Sequence, residues 1–208
     1  MQYLGLLTAL IAAACTLHAN ASTRGDAIGT RVEAIWRVQS FDFHHSSSVA
    51  HSCGALRKKI VYILEAVGAD EAPIVSVECG IGLLRTALVR ITLASPVAAT
   101  PESVQLATSF DGRAELTARM RNLALPTPAE LERFPATWRR VSLARHGSLR
   151  LDASDCDLVR GMVRQVFPKL AARVERKPLC IDGVTRPVPL EIVALLRDSP
   201  ETDVSTVR

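Results

Sequence analysis

Cys53-Gly54-Ala55-Leu56-Arg57-Lys58-Lys59-Ile60-Val61-Tyr62-Ile63-Leu64-Glu65-Ala66-Val67-Gly68 carries one apolar stripe, because Leu56, Ile60, Ile63, Leu64 and Val67 recur at helical spacing. Gly68 supplies the usual helix stop. A second stretch repeats the pattern with Leu158, Val159, Met162, Val163 and Val166, and Asp152, or Ser154 with Asp155, stands where its start needs a cap.

Outward from these two helices the chain matches itself. Trp36-Arg37 recurs as Trp138-Arg139, Cys53 as Cys156, and Cys79 as Cys180, with separations of 17 and 18 residues and then 26 and 24. Alternating segments flank each helix. Arg31 to Phe43 precedes the first, with Val32, Ala34, Trp36 and Val38 on one face, and Thr137 to Arg145 precedes the second. Ile74 to Cys79 and Ala172 to Cys180 follow them. A last strand in each half alternates through Ala87, Val89, Ile91 and Leu93, and through Leu190, Ile192, Ala194 and Leu196.

The spacing therefore predicts an α+β fold of two tandem β-α-β-β units, residues 31–95 and 137–197. Between them lies a helical, proline-rich connector, residues 96–136, with helices expected near Glu102 to Thr108 and Ala114 to Leu123. Each unit alone has an open sheet face and edge, so the two are expected to share one core. Tails are expected at 22–30 and 198–208.

The amino terminus reads as an export signal over residues 1–21. An apolar run from Leu4 to Leu17, broken only by Thr8 and Thr16, leads to Ala19-Asn20-Ala21, an A-x-A cleavage site, although no Lys or Arg precedes the run. It is shorter than the ~20 apolar residues of a spanning helix, and no stop-transfer segment follows. The expectation is a periplasmic or secreted protein with no transmembrane span, beginning at Ser22. Ala12-Ala13-Ala14-Cys15 offers a competing reading, in which Cys15 is lipidated and anchors the chain.

Cleavage leaves 187 residues and a net charge of +4, with both signs interspersed and no like-charged run that would track a phosphate backbone. Nucleic acid is not an expected partner. Four cysteines remain, Cys53, Cys79, Cys156 and Cys180, and an even count in an exported chain implies two disulfides. A helix from Cys53 to Gly68 is about 24 Å long, and a strand from Pro73 to Cys79 returns about 23 Å. The pairs expected are Cys53 with Cys79 and Cys156 with Cys180.

Ser52-Cys53-Gly54-Ala55-Leu56-Arg57-Lys58-Lys59, Phe134-Pro135-Ala136-Thr137-Trp138-Arg139 and Asp155-Cys156-Asp157-Leu158 together resemble a family of uncharacterised exported proteobacterial proteins. The resemblance covers most of the chain beyond the signal. It implies an envelope or extracellular compartment and no particular chemistry.

Candidate chemistry concentrates in Phe41-Asp42-Phe43-His44-His45-Ser46-Ser47-Ser48-Val49-Ala50-His51-Ser52-Cys53. His44, His45 and His51 have the donors for zinc or copper, with Asp42 as a fourth ligand, but their spacing follows no established metal signature. The plainer reading is a strand end, a serine-rich turn and a capped helix start, with His44 and His45 on opposite faces. Ser46, Ser47 or Ser48 beside an imidazole would be a hydrolase nucleophile only with matching geometry, and no G-x-S-x-G elbow is present.

Asp152, Asp155 and Asp157 lack the pattern of a calcium loop and read as helix-start carboxylates. Trp36 and Trp138 read as core, and His146-Gly147 as a turn. No cofactor motif is present. The functional expectation is a non-enzymatic binding or interaction protein of the cell envelope, whose partner is another protein or an envelope component reached through a sheet face or edge. The rival is a periplasmic hydrolase or metal-dependent enzyme centred on His44, His45 and His51.

Overall fold

The computed structural model describes residues 27–70, 73–78, 82–143, 151–176 and 190–198. The expected export signal with Cys15 and Ser22, Cys79, Cys180, His146-Gly147 and residues 199–208 lie outside the described residues.

The fold is α+β. Six strands, β1 (Arg31–Ser52), β2 (Ile74–Val77), β3 (Leu83–Ala98), β4 (Arg133–Ser142), β5 (Ala172–Arg176) and β6 (Glu191–Arg197), form one sheet in the order β2-β3-β1-β4-β6-β5. Every neighbouring pair is antiparallel. Helices α1 (Cys53–Ala66) and α4 (Cys156–Gln165) each lie between a first and a second strand, and α2 (Pro101–Thr108) and α3 (Gly112–Met120) occupy the connector. Read from either edge, the sheet meets a second, a third and a first strand.

The helical stripes are buried as their spacing requires. Leu56, Ile60, Ile63, Leu64 and Val67 of the first helical stretch join Leu158, Val159, Met162 and Val166 of the second in one core with Val89, Ile91, Leu93, Leu190, Ile192 and Ala194. The core therefore draws on both sides of the connector. The end of α1 shows why: Gly68 takes φ +92° and passes so close to β6 that a Cβ there would sit 2.8 Å from the Leu195 carbonyl oxygen. Its helix closes with the Ala69 N–H donating to the Leu64 carbonyl at 2.9 Å and the Gly68 N–H to Glu65 at 3.0 Å.

Two expectations need correction. First, β1 does not end at Phe43 in a serine-rich turn but runs on to Ser52, with a register irregularity between Ser46 and His51. The alternation persists, with Phe43, His45 and Ser47 buried and His44, Ser46 and Ser48 exposed, and contacts to α4 hold the segment extended against the turn preference of serine. Second, Ala34, Trp36 and Val38 do not share one environment. Ala34 is buried, Trp36 half-buried and Val38 73% exposed, because the second face of the sheet carries only a small cluster, built from Ala34, Phe134, Ala136, Trp138, Val193 and Leu195, at the β1–β4 junction.

Trp36 and Trp138 both belong to this cluster, with Trp36 4.6 Å from the Phe134 ring. Both tryptophans thus pack as the internal match implies. Prolines read as punctuation at 96 and 135 instead lie within strands, opposite Trp36 and Glu33, so β4 begins at Arg133 inside the expected connector.

Strands β1 and β4 pair over only five residues, Arg31 to Ile35 against Arg133 to Thr137. Beyond Ile35 they diverge. The Trp138 N–H donates to the Thr30 carbonyl at 3.0 Å, so even-numbered residues of β1 turn their backbone groups toward the β4 side. From Trp36 to Asp42 no strand among the described residues meets those groups.

Candidate functional site

The far end of β1 crosses to α4, and there the sequence candidates meet. Backbone groups of His44 are satisfied by one side chain: its N–H donates to Gln165 Oε1 at 3.1 Å, and Gln165 Nε2 donates to its carbonyl at 2.9 Å. Gln165 thus bonds the outer edge of β1 as a neighbouring strand would. Four residues on, Asp157 Oδ2 accepts the Ser48 N–H and the Ser48 hydroxyl, both at 2.9 Å, and more weakly the Ser47 hydroxyl at 3.4 Å. The Ser48 amide leads the causes that hold the Asp157 carboxyl below the usual carboxylate range.

Asp155 makes the second bridge. It is fully buried, its carboxylate pairs with Lys59 of α1, and it accepts the Asp152 N–H at 3.0 Å. Asp152 in turn caps the 3-10 turn Ala153–Asp155 that leads into α4, accepting the Ser154 N–H at 2.8 Å. Hydrogen bonds from Ser154 keep the Asp152 carboxyl low. The acidic cluster is therefore three separate devices: a cap, a buried cross-link to α1 and an anchor for β1. Its capping role was legible in the sequence; Lys59 and the serine amides were not, because both partners lie about a hundred residues away.

The histidines divide. His44 is exposed on one face, where Asp42 faces Arg90 at 3.3 Å. His45 and His51 are buried on the other, their ring centres 5.5 Å apart and nearly edge-on. The irregularity after Ser46 makes this meeting possible, because it lets the two rings approach along one strand. Nε2 of each ring is buried without a hydrogen-bond partner. Burial, with His51 alongside, pushes the His45 pKa down against the opposing pull of Asp157 and Asp155.

A His44, His45 and His51 centre with Asp42 is thus divided between two faces of the sheet. Among the described residues no group of three or more His, Cys, Asp and Glu side chains is placed to hold a metal ion. The Ser47 and Ser48 hydroxyls turn to Asp157 rather than to an imidazole, so neither makes, with a histidine among the described residues, the hydrogen bond that activates a nucleophile. Cys53 opens α1 with its sulfur 4.0 Å from the Val77 carbonyl, two residues before Cys79. No helix among the described residues is long and apolar enough to cross a membrane.

Comparison with family models, with curated proteins and with solved structures finds no match for this chain.

Proposed function

We propose that the chain is an exported, disulfide-bonded interaction protein of the cell envelope that takes an extended segment of a partner along the outer edge of β1. The observation that carries this reading is the divergence of β1 from β4, beyond which the backbone groups of Val38, Ser40 and Asp42 face away from β3 with no strand among the described residues opposite. An unpaired strand edge is a ready template for a further strand, and main-chain pairing supplies affinity without a catalytic set.

Side chains beside that edge support the reading. Val38 is 73% exposed and stands on the open face of the sheet, on the same face of β1 as Ser40, which pairs with Thr92. With Ser40 and Asp42 it gives the edge strand an apolar and polar mixture that reads alternate residues of an added strand. The export reading and the pairs Cys53–Cys79 and Cys156–Cys180 belong to the same proposal. They rest on the A-x-A site, the even cysteine count and the approach of Cys53 to Val77.

A photo-crosslinking residue at Val38, in protein exported from its native cell, should give a discrete adduct that Ser40→Pro in the same chain abolishes. Proline removes the outward-facing donor and the Ser40 hydroxyl's bonds to β3, while the β1–β3 backbone ladder is kept. Adducts equally strong from a crosslinker at the exposed Glu115 of α3, or insensitive to the proline, would contradict edge binding.

A further inference from the structure

Every buried polar side chain in the described part of the molecule finds a partner except at one place. His45 Nε2 and His51 Nε2 are both buried and both unpartnered, and they belong to adjoining rings on one strand. An unpaired buried polar atom costs about 1–3 kcal/mol. Two such atoms on adjoining rings ask for a common ligand.

The spacing fits a metal ion. With metal–nitrogen bonds of about 2.0 Å, two imidazoles on one ion hold their ring centres roughly 5 Å apart at a tetrahedral angle and roughly 6 Å apart in a line. The observed 5.5 Å lies between. Two carboxylates, Asp155 and Asp157, lie near enough to act on the His45 ring, although burial outweighs them there. One of them, Asp155, is neutralised by Lys59, which leaves Asp157, itself facing Arg160 at 3.8 Å, as the remaining countercharge.

The donor count selects the ion. No third His, Cys, Asp or Glu joins the pair among the described residues, and the site is buried, so an ion that requires four or six ligands is poorly served. Imidazole suits copper and zinc alike, but zinc sites take three or four protein ligands. Copper(I) is satisfied by two.

We infer that His45 and His51 form a two-imidazole site for a single copper(I) ion, held through their Nε2 atoms at the end of β1. His44, on the opposite face, takes no part. The site lies beside the β1 anchor to α4 and apart from the strand edge at Val38 to Asp42, so it stands or falls independently of partner binding.

The test is anaerobic titration of the exported full chain with copper(I) against a chromogenic chelator, with zinc(II) as the comparison ion. One equivalent of copper(I) should bind, at least tenfold more tightly than zinc(II). His45→Gln or His51→Gln should lower the copper affinity at least tenfold, and His44→Gln should leave it unchanged. Because either buried variant is able to disturb folding, the same titration on the wild-type chain with nitrogen-15-labelled histidine should shift the Nε2 signals of His45 and His51 and not those of His44. Absence of stoichiometric binding, zinc binding as tight as copper, or a shift at His44 in step with binding would overturn the assignment.

Discussion

The Ser48 backbone N–H, near the end of β1, donates to Asp157 in the first turn of α4 at 2.9 Å, across 109 residues of chain. With the Ser48 hydroxyl on the same oxygen, this pair holds the last third of β1 against the second helix. A hydrogen bond to a charged group contributes about 1.5–3 kcal/mol. Asp157→Ala should therefore lower stability by about 2 kcal/mol in denaturant unfolding, and hydrogen exchange should quicken at Ser48 and Val49 while Val89 and Ile91 stay protected. The folded Asp157 pKa lies below its unfolded value, so the contribution is full above the ordinary carboxylate range and is lost as pH falls through the folded pKa.

Lys59 pairs with a carboxylate that has no solvent exposure. Removing one partner of such a pair leaves a buried charge and costs about 3–5 kcal/mol. Lys59→Met should fall in that range by chemical denaturation, and Lys59→Met with Asp155→Asn should recover part of the loss. An additive double variant would show that the two side chains do not act as a pair.

Gly68 is required by its surroundings rather than by its helix alone. A left-handed backbone costs a non-glycine residue about 1–2 kcal/mol, and here a Cβ would also meet a carbonyl oxygen of β6 at 2.8 Å and a Leu196 methyl at 3.0 Å. Gly68→Ala should destabilise by more than the backbone term, about 2–4 kcal/mol. Gly161, whose Cβ would meet only the edge of the Phe43 ring at 3.0 Å, should tolerate alanine better, since the helix gains about 1 kcal/mol in propensity.

Burial pushes the His45 pKa below 6.5 in the folded chain. In metal-free protein the unfolded chain then takes up a proton, as pH falls through 6.5, that the folded chain refuses. Stability therefore drops over that window, and His45 adds no further pH dependence once pH passes below its folded pKa. Melting temperature measured with a chelator should fall between pH 7 and pH 5.5, and His45→Gln should flatten that part of the profile. A profile unchanged by the substitution would count against a neutral, buried His45.

Periodicity made much of this fold legible. The two apolar stripes and the alternation of the last strand in each half depend only on local spacing and are found where that spacing puts them, whereas Val38 of the first strand stands in solvent and Trp36 is only partly buried. Long-range partners were not legible. Nothing in Ser46-Ser47-Ser48 announces that Asp157 will hold the tract extended, and nothing in Lys59 announces Asp155. Of the three histidines, period-two alternation separated His44 from His45, but the meeting of His45 with His51 depends on an irregularity that the sequence does not mark.

At the centre of this account is one core drawn from both sides of the connector, tied by Asp157 to Ser48, Asp155 to Lys59 and Gly68 to β6. Residues 22–96 and 135–208, each about the size at which a domain is marginal alone, should be compared with the continuous chain 22–208 by calorimetry, separately and mixed. The account predicts no cooperative transition in either fragment alone and its return on mixing. A sharp transition in one isolated fragment, near the melting temperature of the whole chain, would contradict it.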